Sequence, residues 1–219
     1  MRQRTQKFID WHSLKNPIYS HTGWSVKDAC MAFKDGTFYL FFSAFYYDES
    51  RERSHVIGVK TVDFKTYSDP LFIWRGESED WIGACSPSIA KIGDTYYLTY
   101  NSWGDKEGQP NQLFYATSRD LENWEHDKPL ATNITKGKRA IDAAIAYQNN
   151  RYYLVWKEYQ TPQVAWSTAM GPDGWERLGQ PSGGWFENAE FIHIDKKWHI
   201  LVTGKGGQFL TLWQPHTTC

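Results

Sequence analysis

Asp28-Ala29-Cys30-Met31-Ala32-Phe33-Lys34-Asp35-Gly36-Thr37-Phe38-Tyr39-Leu40 decides the fold, because the chain states it again. It returns as Ser86-Pro87-Ser88-Ile89-Ala90-Lys91-Ile92-Gly93-Asp94-Thr95-Tyr96-Tyr97-Leu98 and as Asp142-Ala143-Ala144-Ile145-Ala146-Tyr147-Gln148-Asn149-Asn150-Arg151-Tyr152-Tyr153-Leu154. A looser copy runs from Glu187 through Phe191, Asp195, Trp198 and His199 to Ile200. Each copy reads as a strand, a tight turn and a second strand, with Asp-Gly, Gly-Asp or Asn-Asn at the turn. The closing aliphatics Leu40, Leu98, Leu154 and Ile200 are 58, 56 and 46 residues apart. A period of that size belongs to a propeller or a solenoid.

Working outward, each of the first three copies is followed by two more strand-like runs, so four strands fill each repeat. Strand C leads into a recurring element: Asp63-Phe64 with Tyr67 and Pro70, Asp120-Leu121 with Trp124 and Pro129, and more loosely Trp175. Four antiparallel strands per repeat make a propeller blade. The sequence therefore predicts an all-β protein, a β-propeller of four-stranded antiparallel blades over one domain, 1–219. The blades fall at about 28–74, 85–130, 140–181 and 187–213. The last repeat stops after strand C, at Gln208 to Trp213. Phe8 and Trp11 share the spacing of Leu121 and Trp124, so 8–18 reads as a strand that would complete the last blade and remove an exposed edge. The competing reading is a longer propeller with a blade missing.

Composition narrows the function classes. A net charge of -1 over 219 residues gives no general electrostatic reason for nucleic acid or an anionic membrane as partner. With 12 Trp, 13 Tyr and 12 Phe, the chain is rich in rings that fill cores and that also stack on sugars. Cys30, Cys85 and Cys219 form no paired framework and no zinc spacing, and Cys30 and Cys85 read as small buried hydrophobes. The seven His show no ligand spacing, and no phosphate loop, nucleophile elbow or dinucleotide fingerprint is present. No cofactor is expected. The start, Met1 to Gln6, lacks the apolar run of a signal peptide, so the location at face value is cytoplasmic.

Chemistry enters through the first position of the repeat. Innermost strands of a propeller run along a central channel, so Asp28, Ser86, Asp142 and Glu187 (or Asn188, by register) should converge there. Carboxylates gathered in a partly dry site push their pKa values apart, and glycosidic cleavage needs one protonated and one ionised acid. The loops from strand B to strand C should lie on the same face, bringing Phe45, Trp103, Lys157 and Lys205 there, with Trp24 and Trp185 just before strands A. Trp103, Phe45 and Trp24 are candidate sugar platforms, and Arg139 and Lys157 candidate hydroxyl partners. Glu158 reads as an exposed loop charge.

In these positions the chain resembles glycoside hydrolase family 43. The resemblance rests on Asp28, on Ala140-Ile141-Asp142 and on Glu187-Asn188-Ala189, and extends from about Asp28 to Trp213. It implies a five-bladed propeller of arabinofuranosidase or xylosidase type, acting with inversion on a polysaccharide or oligosaccharide. It implies Asp28 as general base, Asp142 as the carboxylate that tunes the acid, and Glu187 as general acid, with Glu190 the alternative if the register differs. Glu187 lies 13 residues before Ile200, one more than the 12 from Asp28 to Leu40 or Asp142 to Leu154, as the family's Glu-Gly-Pro pattern requires. The departures are Asp28-Ala29 for Asp-Pro, Glu187-Asn188-Ala189 for Glu-Gly-Pro, and four repeats for five. The sucrose- and fructan-cleaving propellers fit less well, since Ala84-Cys85-Ser86 stands where they carry Glu-Cys. The resemblance allows a structural cation in the channel and names no ligand for it. A non-catalytic carbohydrate-binding propeller, or a truncated family member, is the alternative function. A protein-interaction propeller would have no convergent acids.

Overall fold

The structure is a computed structural model and describes residues 9–48, 51–77, 81–104, 108–181, 186–195, 197–204 and 209–211. Phe8, Trp185, Lys205, Trp213 and Cys219 lie outside them. The strands group as the repeat demands. Blade I comprises β1 (Ser25–Lys34), β2 (Thr37–Asp48), β3 (Arg51–Thr61) and β4 (Phe72–Trp74). Blade II comprises β5 (Gly83–Ile92), β6 (Thr95–Trp103), β7 (Leu113–Ser118) and β8 (Glu125–Pro129). Blade III comprises β9 (Ala140–Gln148), β10 (Arg151–Glu158), β11 (Thr161–Ser167) and β12 (Glu176–Gly179). Blade IV shows β13 (Phe186–Ile194), β14 (Lys197–Gly204) and β15 (Phe209–Thr211). Pairing within each blade is antiparallel throughout. One parallel bridge, Ser54 to Gly83, joins blade I to blade II.

The cores lie between blades. Phe41, Val56 and Trp74 of blade I meet Tyr96, Leu98 and Tyr100 of blade II, and Trp124 packs against Phe72 and Trp74. Leu113 and Leu130 of blade II meet Leu154, Trp156 and Trp175 across blade III, and Val155 and Val164 meet Ile200 and Val202 of blade IV. Each large side chain taken from water here contributes about 1.5–3 kcal/mol. That is what the aromatic excess is chiefly for.

The repeated element after strand C is a polar clamp. Ser118 Oγ receives the backbone N–H groups of Asp120 and Leu121, and Asp120 Oδ1 receives those of Glu122 and Asn123. Thr61 and Asp63 do the same for Phe64, Lys65 and Thr66. The clamp lets Phe64 and Leu121 take φ of 57° and 72° while burying their side chains.

The reading of 8–18 as an outer strand does not hold for its described part. Residues 9–18 contain a 3-10 turn at Trp11–Ser13 and no strand. Ile9, Leu14 and Tyr19 instead pack on Leu40, Phe42, Ile57 and Phe64, and Tyr67 Oη donates to the Ile18 carbonyl at 2.8 Å. This is the face of blade I turned away from blade II. The reason is local: Ile9 and Tyr19 find a ready apolar face there, which shields it without adding ladder bonds. Among the described residues, none of the four core clusters spans blades I and IV. No described helix is long and apolar enough to cross a membrane.

Candidate active site

The inner strands β1, β5, β9 and β13 each carry the same irregularity. Between Lys27 and Cys30, Cys85 and Ser88, Ile141 and Ala144, and Glu187 and Glu190, two residues stand opposite one on the neighbouring strand. The first extra residue is left-handed in every case: Asp28 (φ 54°), Ser86 (55°), Asp142 (56°) and Asn188 (49°). A bulge of this kind re-aims a side chain, and a non-glycine residue there costs about 1–2 kcal/mol, least for Asp and Asn. Four such residues at equivalent positions are strain held in register. The carboxylates therefore sit within the inner strands and not at their starts, Asp28 as the fourth residue of β1, Asp142 as the third of β9 and Glu187 as the second of β13. The structural equivalent of Asp28 and Asp142 in blade IV is Asn188, and Glu187 precedes it.

The bulges line one end of the channel. A cavity of about 320 Å³ is bordered by Asp28, Ser86, Asp142, Asn188 and Glu190 among others. A second cavity of about 440 Å³ toward the other end shares Glu190 with it. The bulges of blades II and III are held from the blade before. Ser43 Oγ receives the Ser86 N–H at 2.8 Å, and Asn101 Oδ1 receives the Asp142 N–H at 3.1 Å. Ser43, Asn101 and Lys157 share one repeat position, three residues after the strand-B aliphatic. Lys157 continues the pattern by donating to Glu187 of blade IV. Its ammonium also lies 3.4 Å from Asp142 Oδ2.

This places the three expected catalytic residues together. Asp142 is buried, and its Oδ2 accepts no hydrogen bond from the described residues, the Lys157 contact being ionic in geometry. Burial raises the Asp28 pKa above the usual carboxylate value, Asp142 adds to the rise, and Lys27 with hydrogen bonds from Ser43 and Asn188 opposes it. Burial likewise raises Glu187, helped by Asp142 and opposed by Lys157. Glu190, hydrogen-bonded by Ser88 Oγ at 2.9 Å, is pushed up to about 7 by burial.

The remaining expectations divide. Phe45 and Trp103 meet edge to face at 5.9 Å, Lys27 lies 4.5 Å over Phe45, and the Arg139 guanidinium 5.8 Å over Trp103. These four side chains form one row running from blade I to the entry of blade III. Trp24 instead stacks on His21 and packs toward Phe42, engaged in the N-terminal packing. Lys157, expected to meet sugar hydroxyls, is buried between two carboxylates, where its charge is needed. Glu158 is no exposed loop charge, since it pairs with Arg177 and with Lys138 at 3.5 Å. Cys30 and Cys85 are free thiols. Among the described residues no cluster of three or more His, Cys, Asp or Glu is arranged to hold a metal ion. Sequence reasoning missed Ser43 and Lys27, and offered Asn188 only as the alternative to Glu187 by register. The shared position of Ser43, Asn101 and Lys157 was a usable signal, whereas Lys27 shows its role only once Phe45 is beside it.

No family model matches the chain. It is 23% identical over 147 residues to a 1,2-beta-oligomannan phosphorylase of Thermoanaerobacter sp., an alignment covering 67% of this chain and 44% of that protein. The chain thus spans less than half the length of this curated relative. Among solved structures it resembles GH43B of Bacteroides ovatus at TM-score 0.60 and 16% identity, covering 88% of this chain and 38% of that one. It also resembles a beta-1,2-mannobiose phosphorylase of Listeria innocua at TM-score 0.61 and 14% identity, covering 87% and 72%. The chain carries the β-propeller fold shared by family 43 and related glycoside hydrolases.

Proposed function

We propose that the protein is a carbohydrate-active enzyme that breaks a glycosidic bond at the mouth of the channel by carboxylate acid–base catalysis. The observation that carries this is the meeting of three carboxylates from three blades: Asp28 and Asp142 line one cavity at the strained bulges, and Glu187 shares the Lys157 ammonium with Asp142. Such strain at a cleft is where function is stored. Asp28 is the base: Lys27, Ser43 and Asn188 favour its ionised form despite burial. Glu187 is the acid: burial and the Asp142 charge raise its pKa against the pull of Lys157, and a leaving oxygen arriving there replaces Lys157 as its partner. Asp142 acts on Glu187 through charge and through the shared lysine. The row Lys27–Phe45–Trp103–Arg139 supplies a sugar platform with a cation at each end. Convergent acids disfavour the protein-interaction reading.

Two nucleophiles fit this frame. Hydrolysis with inversion, on an arabinose- or xylose-type glycan, follows from the resemblance to family 43. Phosphorolysis is favoured by the names of the mannoside phosphorylases to which the chain is similar, and by the two cations of the row, which suit an anionic nucleophile. Incubation with arabino- and xylo-oligosaccharides and with β-1,2-mannobiose, each with and without inorganic phosphate, separates them. Free sugar independent of phosphate supports hydrolysis. Sugar 1-phosphate formed only with phosphate supports phosphorolysis. Saturable binding with neither product supports a non-catalytic sugar-binding propeller instead.

A further inference from the structure

Lys157 stands between two carboxylates and satisfies them unequally. Its ammonium donates a hydrogen bond to Glu187 Oε2 and lies 3.4 Å from Asp142 Oδ2. That second oxygen is buried and accepts no hydrogen bond from the described residues. The side chains of Lys157 and Asp142 are 3% and 5% exposed, whereas that of Glu187 is 36% exposed and can be reached by a ligand. We propose that Lys157 is a two-seat positioning residue: it holds Glu187 while the site is empty and passes to Asp142 Oδ2 when a ligand engages Glu187, so that ligand binding is coupled to proton uptake by Glu187. The proposal rests on the reading of Glu187 as acid.

The chemistry favours a lysine at this point. Ser43 and Asn101, at the same repeat position in blades I and II, are short and each hold one backbone N–H. Lysine carries three donor hydrogens on a flexible four-carbon stem, so one ammonium can serve two acceptors in turn. A charge-assisted bond is about 2.7–2.9 Å long, so a move of about half an ångström seats Lys157 on Asp142 Oδ2. A buried carboxylate oxygen without a donor is costly, and that cost draws the ammonium across once Glu187 turns to another partner. The charges agree. With Glu187 ionised, one cation and two anions leave a net negative charge, which a ligand covering the site would strip of solvent. One proton taken from water by the Glu187 carboxylate makes the trio neutral, while Lys157 stays an ammonium and Asp142 a carboxylate. It also turns Glu187 into the donor that a glycosidic oxygen needs. Among the described residues Lys157 makes no other ion pair. The other titratable groups around the trio are Asp28 on β1, Glu190 on β13 and the Cys85 thiol on β5, which burial pushes up to about 12 and so keeps neutral. Glu158, next along β10, is tied to Arg177 and Lys138.

Three measurements test this. In a crystal structure of Glu187→Ala, which empties the first seat at a partly exposed side chain, Lys157 Nζ is expected within about 3 Å of Asp142 Oδ2. An ammonium left in place, or drawn into the vacated space, overturns the proposal. In Lys157→Met, the Glu187 midpoint is followed by carbon-detected NMR and assigned by its absence in Glu187→Gln. It should rise by about one pH unit, a roughly ten-fold change in proton affinity; an unchanged midpoint also overturns the proposal. If Lys157→Met does not fold, the Glu187→Ala structure still decides. Finally, β-1,2-mannobiose and arabino- and xylo-oligosaccharides are titrated calorimetrically in two buffers of different ionisation enthalpy, one pH unit above the wild-type Glu187 midpoint. The wild type should take up close to one proton per sugar bound, and Glu187→Gln none. Binding to the wild type without proton uptake overturns the coupling. Absence of binding across the panel counts against the carbohydrate reading instead, and the first two measurements then decide the role of Lys157.

Discussion

Glu190 shows how far the channel departs from water. It is a carboxyl held by Ser88, close enough to Cys30 to help raise the thiol's pKa, and burial pushes it up to about 7. In the unfolded chain a glutamate titrates near about 4.3. A folded pKa above the unfolded one means that the folded state holds the proton more tightly. The stability this brings is fully present below about pH 4 and is lost as pH rises through about 7. Glu190→Gln keeps the Ser88 bond and removes the titration. Urea unfolding from pH 5 to 8.5 should show the wild type losing stability relative to Glu190→Gln, by on the order of 3 kcal/mol across the range. Parallel curves for the two proteins would show that Glu190 is solvated as an ordinary surface acid. Glu187 and Glu190 also show what spacing can and cannot reveal. The extra residue before Ile200 correctly set Glu187 one place ahead of the repeat, but only packing shows Lys157 on Glu187 and Ser88 on Glu190.

At the scale of elements, the repeat was legible because each inner hairpin alternates side chains around a turn that needs Asp, Asn or Gly. The bulges were not, since an extra residue in one strand leaves no compositional mark. Their effect is large: a one-residue offset exchanges the two faces of a strand. It explains why exposed Met31 and Phe33 lie beyond the bulge while Cys30 and Ala32 join the core. The segment 8–18 was misread for a related reason. Its aromatic and proline spacing matches an outer strand, but ladder bonds depend on which edge is near, and the apolar face of blade I was the better partner. Gly83 tests the element-level account. A Cβ there would fall 1.8 Å from the Ser54 carbonyl oxygen, at the bridge where the inner strand of blade II meets blade I. Gly83→Ala must push the two blades apart and should cost about 1–3 kcal/mol in urea unfolding. A change within about 0.5 kcal/mol, as at an unconstrained surface site, would mean the blades slide freely.

For the whole molecule, the sequence carried the architecture and the three carboxylates, because both follow from one repeated phrase. The hand-over from each blade to the next was hidden: Ser43 to Ser86, Asn101 to Asp142 and Lys157 to Glu187 join residues between 30 and 43 positions apart. Through these bonds the blades that pack the core also hold Asp142 and Glu187, so under the proposed function fold and chemistry share the same side chains. The most direct test of that account is the turnover of Asp28→Asn and Glu187→Gln on whichever glycan the wild type cleaves, measured beside thermal unfolding. The account predicts a loss of at least about 100-fold in kcat/KM for each, the scale of an acid or base contribution, with a cooperative unfolding transition retained. Wild-type turnover in either variant would contradict it.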